Sequence, residues 1–418
     1  MSSSTDITER PRVLFLNRSY WPDAEATGQL LTELCEDIGP TFDITVISGQ
    51  PNQNPGGHAY KSFGAEKHRD VEVRRVLHTR FSKNSFLGRI TNMVTYLLMS
   101  WWTALFLRRP AIVVVETDPP ILCILGAFLR WWYGCKFVVY LQDIYPDVAI
   151  ALGKLPDAAW TRMLRKLFLA TYRRADRIVV LSDDMRELLL DGGIEPAKVT
   201  RIPNWADTSK IYPVKEDNPF RKAQGLEGKF VVMYSGNMGL SQRLENLLEA
   251  AKDLKSREGI CFLLVGDGAS RAGLEKRAAE LGLENVRFLG YQPKETLHES
   301  LSSPDLHVVV LDPKISRCLM PSKVYGVMSS GTSVLVAAPE KSELSQMTLR
   351  ERIGFVVSFD DPKSWTERIR WCAEHPEELA EMGRRAREVA VRDYDRHVAT
   401  GQFGDMLASI SACSVVKA

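Results

Sequence analysis

Short apolar runs alternate with longer amphipathic stretches through the first half of the chain. The runs that predict buried strands are Arg12–Asn17, Phe42–Ser48, Val71–Val76, Ala111–Glu116, Lys136–Leu141 and Arg177–Ser182. Several are continuous and β-branched, which is typical of parallel strands covered on both faces. The loop Arg18–Gly28 leads into a predicted helix at Gln29–Ile38, and the glycine- and asparagine-rich stretch Gln50–His68 is predicted as a loop. This half predicts a doubly wound α/β domain.

The same alternation restarts after a polar stretch at 210–228. The predicted strands are Lys229–Ser235, Cys261–Val265, Val286–Leu289, His307–Leu311 and Ser333–Ala338, with helices at Gln242–Leu254 and Arg271–Leu281. We therefore expect two Rossmann-like, doubly wound domains whose strand ends face a central cleft. The predicted order is a leader at 1–10, a first domain at 11–208, a linker at 209–228, a second domain at 229–390, and a C-terminal helix and tail at 391–418 that packs back on the first domain.

Composition narrows the class of protein without identifying it. The 418 residues are 45% hydrophobic and 25% charged, as in an ordinary folded soluble protein, and the net charge of +2 gives no reason to expect a nucleic-acid partner. The seven cysteines form no CxxC pair, so neither disulfides nor a zinc site are predicted, and a reducing cytoplasm is the simpler interpretation. No cluster requires a metal or cofactor. Met1–Arg10 lacks the apolar core of a signal peptide.

The unusual part of the first half is Phe81–Leu107, which is apolar, rich in tryptophan and flanked by arginines. It contains several polar residues and its uninterrupted apolar stretch is short, which disfavours a transmembrane helix. A buried crossover helix and an interfacial helix both remain open. Between Lys61 and Lys136 there are twelve Lys/Arg and five Asp/Glu, net +7, and Trp160–Arg177 is a second basic aromatic stretch. We expect both stretches to contact the anionic inner surface of a membrane.

In the second half, the stretch Pro321–Gly331 predicts a short helix with proline at its start and glycine at its end. Ser322 and Lys323 fall in the first turn, where free N–H groups attract an anion. An ordinary surface lysine is the alternative. A second glycine turn follows a strand at Gly236, and the next predicted helix opens with Gln242-Arg243, an arrangement suited to a diphosphate.

In the first half, Glu25, Thr27 and Gly28 lie in the loop after the first strand and face the predicted cleft. The alternative interpretation is that Thr27 and Gly28 merely start the helix. Asp143 follows the strand Lys136–Leu141, a position from which a carboxylate reaches a cleft, although a turn or capping aspartate is also consistent with the sequence.

Several segments occur in a characteristic order along the chain: IPNWAD, YSGNMG, LLEAAKDL, FLLVGDGASRAGLEKRAAELGLENVRFLGY and PSKVYGVMSSGTSVLV. In this order they resemble a GT-B glycosyltransferase, specifically the retaining glycosyltransferase family four, over nearly the whole chain. The segments QDIYPD and PSK resemble the branch that builds bacterial O-antigen, capsule and colanic-acid repeats, including fucosyl- and N-acetylfucosaminyl-type transferases.

The resemblance adds roles to the candidate residues. The expected donor-binding residues are Gly236, Asn237, Gln242, Arg243, Gly266, Gly290, Tyr291, Ser322 and Lys323, with Gly290-Tyr291 against the nucleotide base. The expected acceptor-binding residues are Glu25, Thr27 and Gly28, and the expected catalytic residues are Asp143, Arg243 and Lys323. One departure is clear, because Cys318 and Gly326 stand where the family has a pair of glutamates.

The resemblance implies transfer of a sugar from a nucleotide diphosphate to a hydroxyl acceptor, a lipid-linked glycan in cell-surface polysaccharide synthesis, by a cytoplasmic enzyme bound peripherally to the inner membrane. Without a candidate carboxylate pair for double displacement, attack on the same face as the leaving phosphate is the expected mechanism. Two alternatives stay open, a nucleotide-sugar 2-epimerase of the same fold and a non-catalytic membrane-associated subunit.

Overall fold

A computed structural model describes residues 10–54, 57–82 and 85–415. Apart from Arg10, the predicted leader lies outside the described residues. The chain forms two compact units, of which the first runs to Pro203 and takes up the chain again from Ala399, and the second is Asn204–Val398. The segment 209–228, predicted as a linker, belongs to the second unit and contains a short helix.

The first unit is built on an eight-stranded sheet in the order β3-β4-β2-β1-β5-β6-β7-β8. Its strands are β1 (Arg12–Leu16), β2 (Asp43–Ser48), β3 (Gly64–His68), β4 (Val71–Arg75), β5 (Ile112–Val115), β6 (Lys136–Tyr140), β7 (Arg177–Val180) and β8 (Val199–Arg201). Its helices are α1 (Ala26–Ile38), α2 (Phe86–Leu105), α3 (Leu122–Tyr133), α4 (Asp147–Ala151), α5 (Ala159–Arg173) and α6 (Asp183–Asp191). The loop prediction for Gln50–His68 is wrong at its end, because β3 pairs antiparallel with β4 at the edge of the sheet.

The second unit has a six-stranded parallel sheet in the order β11-β10-β9-β12-β13-β14. Its strands are β9 (Phe230–Ser235), β10 (Ile260–Val265), β11 (Val286–Leu289), β12 (Leu306–Val310), β13 (Ser333–Ala337) and β14 (Gly354–Val357). Its helices are α7 (Pro219–Ala223), α8 (Glu245–Asp253), α9 (Arg271–Glu280), α10 (Leu297–Ser302), α11 (Lys323–Ser329), α12 (Glu343–Arg350), α13 (Pro362–Glu374) and α14 (Pro376–Asp393). The last helix, α15 (Arg396–Val415), returns the chain to the first unit.

The two sheets confirm the predicted α/β class, with two Rossmann-like units. The central strands consist almost entirely of buried apolar residues, since both of their faces are covered, as in β5 and β10. Strand order reverses direction between β1 and β5 in the first sheet and between β9 and β12 in the second. Because ligands of open parallel sheets bind outside the carboxyl ends of strands at such reversals, these two points are where each unit is suited to hold a ligand.

None of the helices in the described ranges is at once long enough and apolar enough to cross a membrane.

Candidate functional site

The turns after β9 and β10 approach each other so closely that only glycine fits. Gly236 and Gly266 have φ angles of 132° and 133°, a conformation that favours glycine. A Cβ added to Gly266 would lie 2.1 Å from the carbonyl oxygen of Gly236. The next glycine, Gly268, is equally confined, since its Cβ would lie 2.6 Å from the Met238 carbonyl oxygen. The two turns therefore form one backbone surface at the carboxyl edge of the sheet.

The ammonium group of Lys323 lies over this surface. A Cβ on Gly236 would lie 3.0 Å from Lys323 Nζ, so the glycine gives the lysine its space. Nζ donates a hydrogen bond of 2.6 Å to the hydroxyl of Tyr234, which is fully buried in β9, and Nζ also lies 4.0 Å from the centre of that ring. The Tyr234 hydroxyl in turn donates to the carbonyl of Asn237 at 2.6 Å.

Lys323 has no carboxylate partner among the residues that the structure describes, and burial lowers the pKa of its ammonium group to about 7. A partly buried cation without a counter-ion is costly, because low-dielectric surroundings disfavour the charged form. A bound anion removes that cost. The position therefore suits an anionic group such as the diphosphate of a nucleotide.

The short helix that presents Lys323 is α11, in agreement with the predicted helix at 321–331. Ser322 precedes it without a side-chain cap, and Gly331 ends it with a φ of 66°. Of the two positions where the resemblance implies glutamates, Cys318 is buried, and a Cβ on Gly326 would make only an ordinary contact, 3.6 Å from Leu301.

The prediction that a helix opens with Gln242-Arg243 is wrong. Gln242 ends a 3-10 turn, Arg243 has a φ of 41°, and α8 begins only at Glu245. The exposed guanidinium of Arg243 pairs with Asp360 at 2.6 Å and lies over the ring of Phe359. Gln242 Oε1 is buried and has no hydrogen-bond partner within the described part of the chain.

The remaining predicted donor residues lie on the loops of the same unit. Asn237 is exposed on the turn after β9, and its own backbone carbonyl accepts the hydrogen bond from the Tyr234 hydroxyl. Gly290 follows β11 with open space where a Cβ would be. Tyr291 is 63% exposed, and its hydroxyl lies 3.4 Å from the carbonyl of Asp267 in the turn after β10. Asn237 and Tyr291 thus both lie beside the two glycine turns.

In the first unit, a polar cluster occupies the carboxyl edge of the sheet where its order reverses. Arg18, directly after β1, donates to both carboxylate oxygens of Asp118, at 3.2 and 2.8 Å. Arg18 also pairs with Glu25 at 3.2 Å. The loop itself is held by buried Asp23, which accepts hydrogen bonds from Ser19 Oγ and from three backbone N–H groups.

The other two predicted acceptor residues, Thr27 and Gly28, lie in the first turn of α1, directly after this loop. Gly28 is required by packing, since its Cβ would lie 2.6 Å from Ser19 Oγ. Asp143 follows β6, and burial together with the charge of Asp118 raises the pKa of its carboxyl to about 6. A carboxyl with this pKa exchanges protons near neutral pH.

Glu116 and Gln142 lie beneath this cluster and were not predicted. Glu116 is 2% exposed, and neither of its oxygens has a hydrogen bond of normal geometry in the described residues, although the Gln142 amide lies nearby. Burial, followed by the charge of Asp118, raises the pKa of Glu116 well above its usual range. Its buried surroundings therefore favour the uncharged form of this carboxyl.

Sequence reasoning thus missed Tyr234, Arg18, Asp118 and Glu116. For the last three a signal exists, because each is a polar residue within three positions of the end of a continuous apolar strand. Tyr234 gives no such signal, since it lies within an apolar strand. Asp143 belongs to the first unit, whereas Arg243 and Lys323 belong to the second.

Comparison with known proteins covers both units. Residues 27–205 match the family described as Glycosyl transferase 4-like domain, and residues 216–389 match Glycosyl transferases group 1. WbjE of Pseudomonas aeruginosa, named as a probable glycosyltransferase, is 29% identical over 78% of this chain and 81% of its own length. WcaI of Escherichia coli K12, whose printed name is putative colanic acid biosynthesis glycosyl transferase, is 24% identical over 80% of this chain and 85% of its own length.

Solved structures agree in fold. A sucrose-phosphate synthase from Thermosynechococcus elongatus superposes with a TM-score of 0.76 over 97% of this chain and all of its own, at 16% identity. Anabaena HepE in complex with UDP superposes with a TM-score of 0.69 over 95% of this chain and all of its own, at 17% identity. The expected GT-B fold is thereby confirmed, and the family models leave no support for the epimerase or the non-catalytic subunit. The chain belongs to the GT-B glycosyltransferases, with a glycosyl transferase 4-like domain followed by a group 1 glycosyl transferase domain.

Proposed function

We propose that this glycosyltransferase moves a sugar from a nucleotide diphosphate to a hydroxyl of a lipid-linked glycan, with retention at the anomeric carbon, during cell-surface polysaccharide synthesis. The observation that carries the donor side is the uncompensated ammonium of Lys323 over the glycine turns at Gly236 and Gly266. A diphosphate is compact enough to lie on a surface without side chains, and it supplies the missing negative charge.

In the proposed reaction, the bond between the anomeric carbon and the diphosphate oxygen breaks while the acceptor oxygen attacks on the same face. The departing phosphate oxygen takes the acceptor proton. Lys323 stabilises the negative charge that develops on the leaving group, and Arg243 adds a second cation when it exchanges Asp360 for the diphosphate. No step uses a metal or cofactor.

On the acceptor side, we propose that Asp143 lies next to the reacting hydroxyl, with Glu25, Thr27 and Gly28 along the acceptor. The pKa of about 6 at Asp143 allows its carboxylate to accept a hydrogen bond from that hydroxyl at neutral pH. The polysaccharide role draws on WcaI, whose name refers to colanic acid. A lipid-linked acceptor is presented at a membrane, so we propose a cytoplasmic enzyme that binds the inner membrane surface peripherally through Phe81–Leu107 and Trp160–Arg177.

The test is a panel of uridine-, guanosine- and thymidine-diphosphate sugars incubated with the full chain and a membrane lipid extract. We expect one donor to be consumed and its sugar to appear in the lipid fraction with retained configuration. Lys323→Ala should abolish donor binding, whereas Lys276→Ala, which removes a lysine with a 79% exposed side chain on α9, should not. Failure of every donor to bind would refute the proposal, as would a donor affinity unchanged by Lys323→Ala.

A further inference from the structure

Helix α2 buries Tyr96 together with small and polar residues, and most of its bulky aliphatic residues face outward. The buried positions are Gly88, Tyr96, Ser100 and Ala104, and the half-buried Asn92 lies midway between the first two. On the opposite side, exposed apolar residues follow one another at spacings of three and four: Leu87, Ile90, Val94, Leu98 and Trp101. Arg89 and Trp102 of this helix are exposed as well. An ordinary surface helix shows the reverse arrangement, with its apolar stripe against the core.

Helix α3 extends this apolar surface with aromatic side chains. Trp131 is 74% exposed and Trp132 is 53% exposed. Phe128 joins them to α2, because its ring stacks on Trp132 and meets Trp101 edge to face, with ring centres 6.1 and 6.2 Å apart. The Tyr133 hydroxyl donates to the carbonyl of Ala104 at 2.6 Å and so ties the ends of the two helices together. The outward surface of α2 and the pair Trp131–Trp132 form one patch.

The three helices around this patch carry basic but no acidic side chains, although Arg130, Arg162 and Arg165 pair with aspartates of neighbouring segments. Helix α5 packs against α3 and adds exposed Trp160, Met163 and Leu167. Helices α2, α3 and α5, with 20, 12 and 15 residues, contain no aspartate or glutamate and six arginines or lysines. The chain has 54 basic and 52 acidic residues, and among its described helices of ten or more residues only these three lack an acidic residue. This distribution is complementary to a surface that is apolar inside and anionic outside.

We propose that α2 lies in the plane of an anionic bilayer, with its outward stripe and the pair Trp131–Trp132 inserted to the level of the acyl chains. This deepens the proposed function, on which it rests for the membrane partner, by naming the inserted residues and the kind of binding. A 20-residue helix presents a stripe about 30 Å long. Insertion removes apolar surface from water, so binding has a component that salt does not screen.

The experiment uses the full chain with vesicles of phosphatidylethanolamine and phosphatidylglycerol, and with phosphatidylcholine vesicles as the neutral surface. We expect sedimentation with the anionic vesicles, weaker binding to the neutral ones, and substantial binding that persists at about 0.5 M salt. Bromine atoms on the acyl chains should quench tryptophan fluorescence. The double variant Trp131→Ser/Trp132→Ser should lose part of that quenching, because Trp101 of the inserted stripe remains, and should bind roughly tenfold more weakly.

Leu98→Ser tests α2 by itself. The matched control is Phe63→Ser, which should bind like the parent. It removes an aromatic side chain that is 58% exposed and lies outside the three helices. Donor binding measured without vesicles should be unchanged in all variants, which separates failure of this inference from failure of the proposed function. The proposal that α2 inserts into the bilayer would be overturned by any of three results. These are complete release of the protein from the vesicles at high salt, no quenching by the brominated acyl chains, and an equal loss of binding in the Phe63→Ser control.

Discussion

The pKa of Lys323 leads to a specific prediction about donor binding. In the free protein, burial lowers the pKa of this lysine to about 7, whereas a diphosphate at hydrogen-bond distance would return it to about 10, its usual value in water. Binding above pH 7 must then take up a proton. The dissociation constant of the donor should rise tenfold for each pH unit above the lower pKa, and therefore about 100-fold between about pH 6 and about pH 9.

Isothermal titration calorimetry with the donor found in the panel measures this directly, because a nucleotide-diphosphate sugar carries no titrating phosphate in that range. Repeating the titration in buffers with different enthalpies of ionisation counts the proton that is taken up. Lys323→Met should bind weakly at every pH and show no such dependence. Tyr234→Phe keeps the lysine but removes its hydrogen-bond acceptor, so it should retain the pH dependence. A parent affinity that is constant from pH 6 to pH 9, or a Lys323→Met variant with the same slope as the parent, would refute the reasoning.

Three further predictions use the glycine turn and the two carboxyls. Gly236→Ala should weaken donor binding about tenfold or more, because its φ of 132° and the nearby Lys323 ammonium leave no room for a methyl group. Calorimetry measures this loss. The control is Gly273→Ala in α9, which should bind normally because a methyl group meets open space there. Asp143→Asn should remove a rise in kcat/KM through about pH 6 that the parent shows in initial rates, and a parent profile flat through that range would contradict the assignment. Glu116→Gln should be more stable than the parent at about pH 8 and lose that advantage at about pH 4. The raised pKa of Glu116 contributes stability that is complete below the unfolded-state pKa and is lost as pH rises, at about 1.4 kcal/mol per pH unit. Thermal unfolding of parent and variant at both pH values measures this, and a variant less stable than the parent at about pH 8 would contradict it.

The strands of both sheets could be predicted from the sequence because buried parallel strands are continuous apolar runs, as in β5 and β10. Edge strand β3 could not, since its sequence GAEKH has no apolar face that would distinguish it from a loop. The position of Lys323 at a helix start was predictable from Pro321 and Gly331. The left-handed conformation of Arg243 was not, because arginine rarely adopts it and its cause lies in the surrounding loop.

Contacts that join distant parts of the chain were beyond sequence reasoning. Arg18 and Asp118 are 100 residues apart, and only the order of the strands brings the ends of β1 and β5 together. The tyrosine that holds Lys323 is 89 residues away from it. The apolar character of Phe81–Leu107 was visible, but its interpretation as buried or interfacial depended on which side of α2 packs on the sheet. In the structure that side carries Tyr96 and small residues, and the bulky aliphatic residues lie on the other side.

The return of the last helix to the first unit has a consequence for how the protein is made. Helix α15 contributes Phe403 against the ring of Tyr140 and Thr400 to the carboxylate of Asp37, so α1 and β6 both depend on the end of the chain. Chains are synthesised from the amino terminus, and domains generally fold as units as they emerge. Here the second unit, Asn204–Val398, is complete before the first one has all of its parts. The unit that begins first is the one that finishes last, so a ribosome that stops early leaves it without the helix that covers Tyr140.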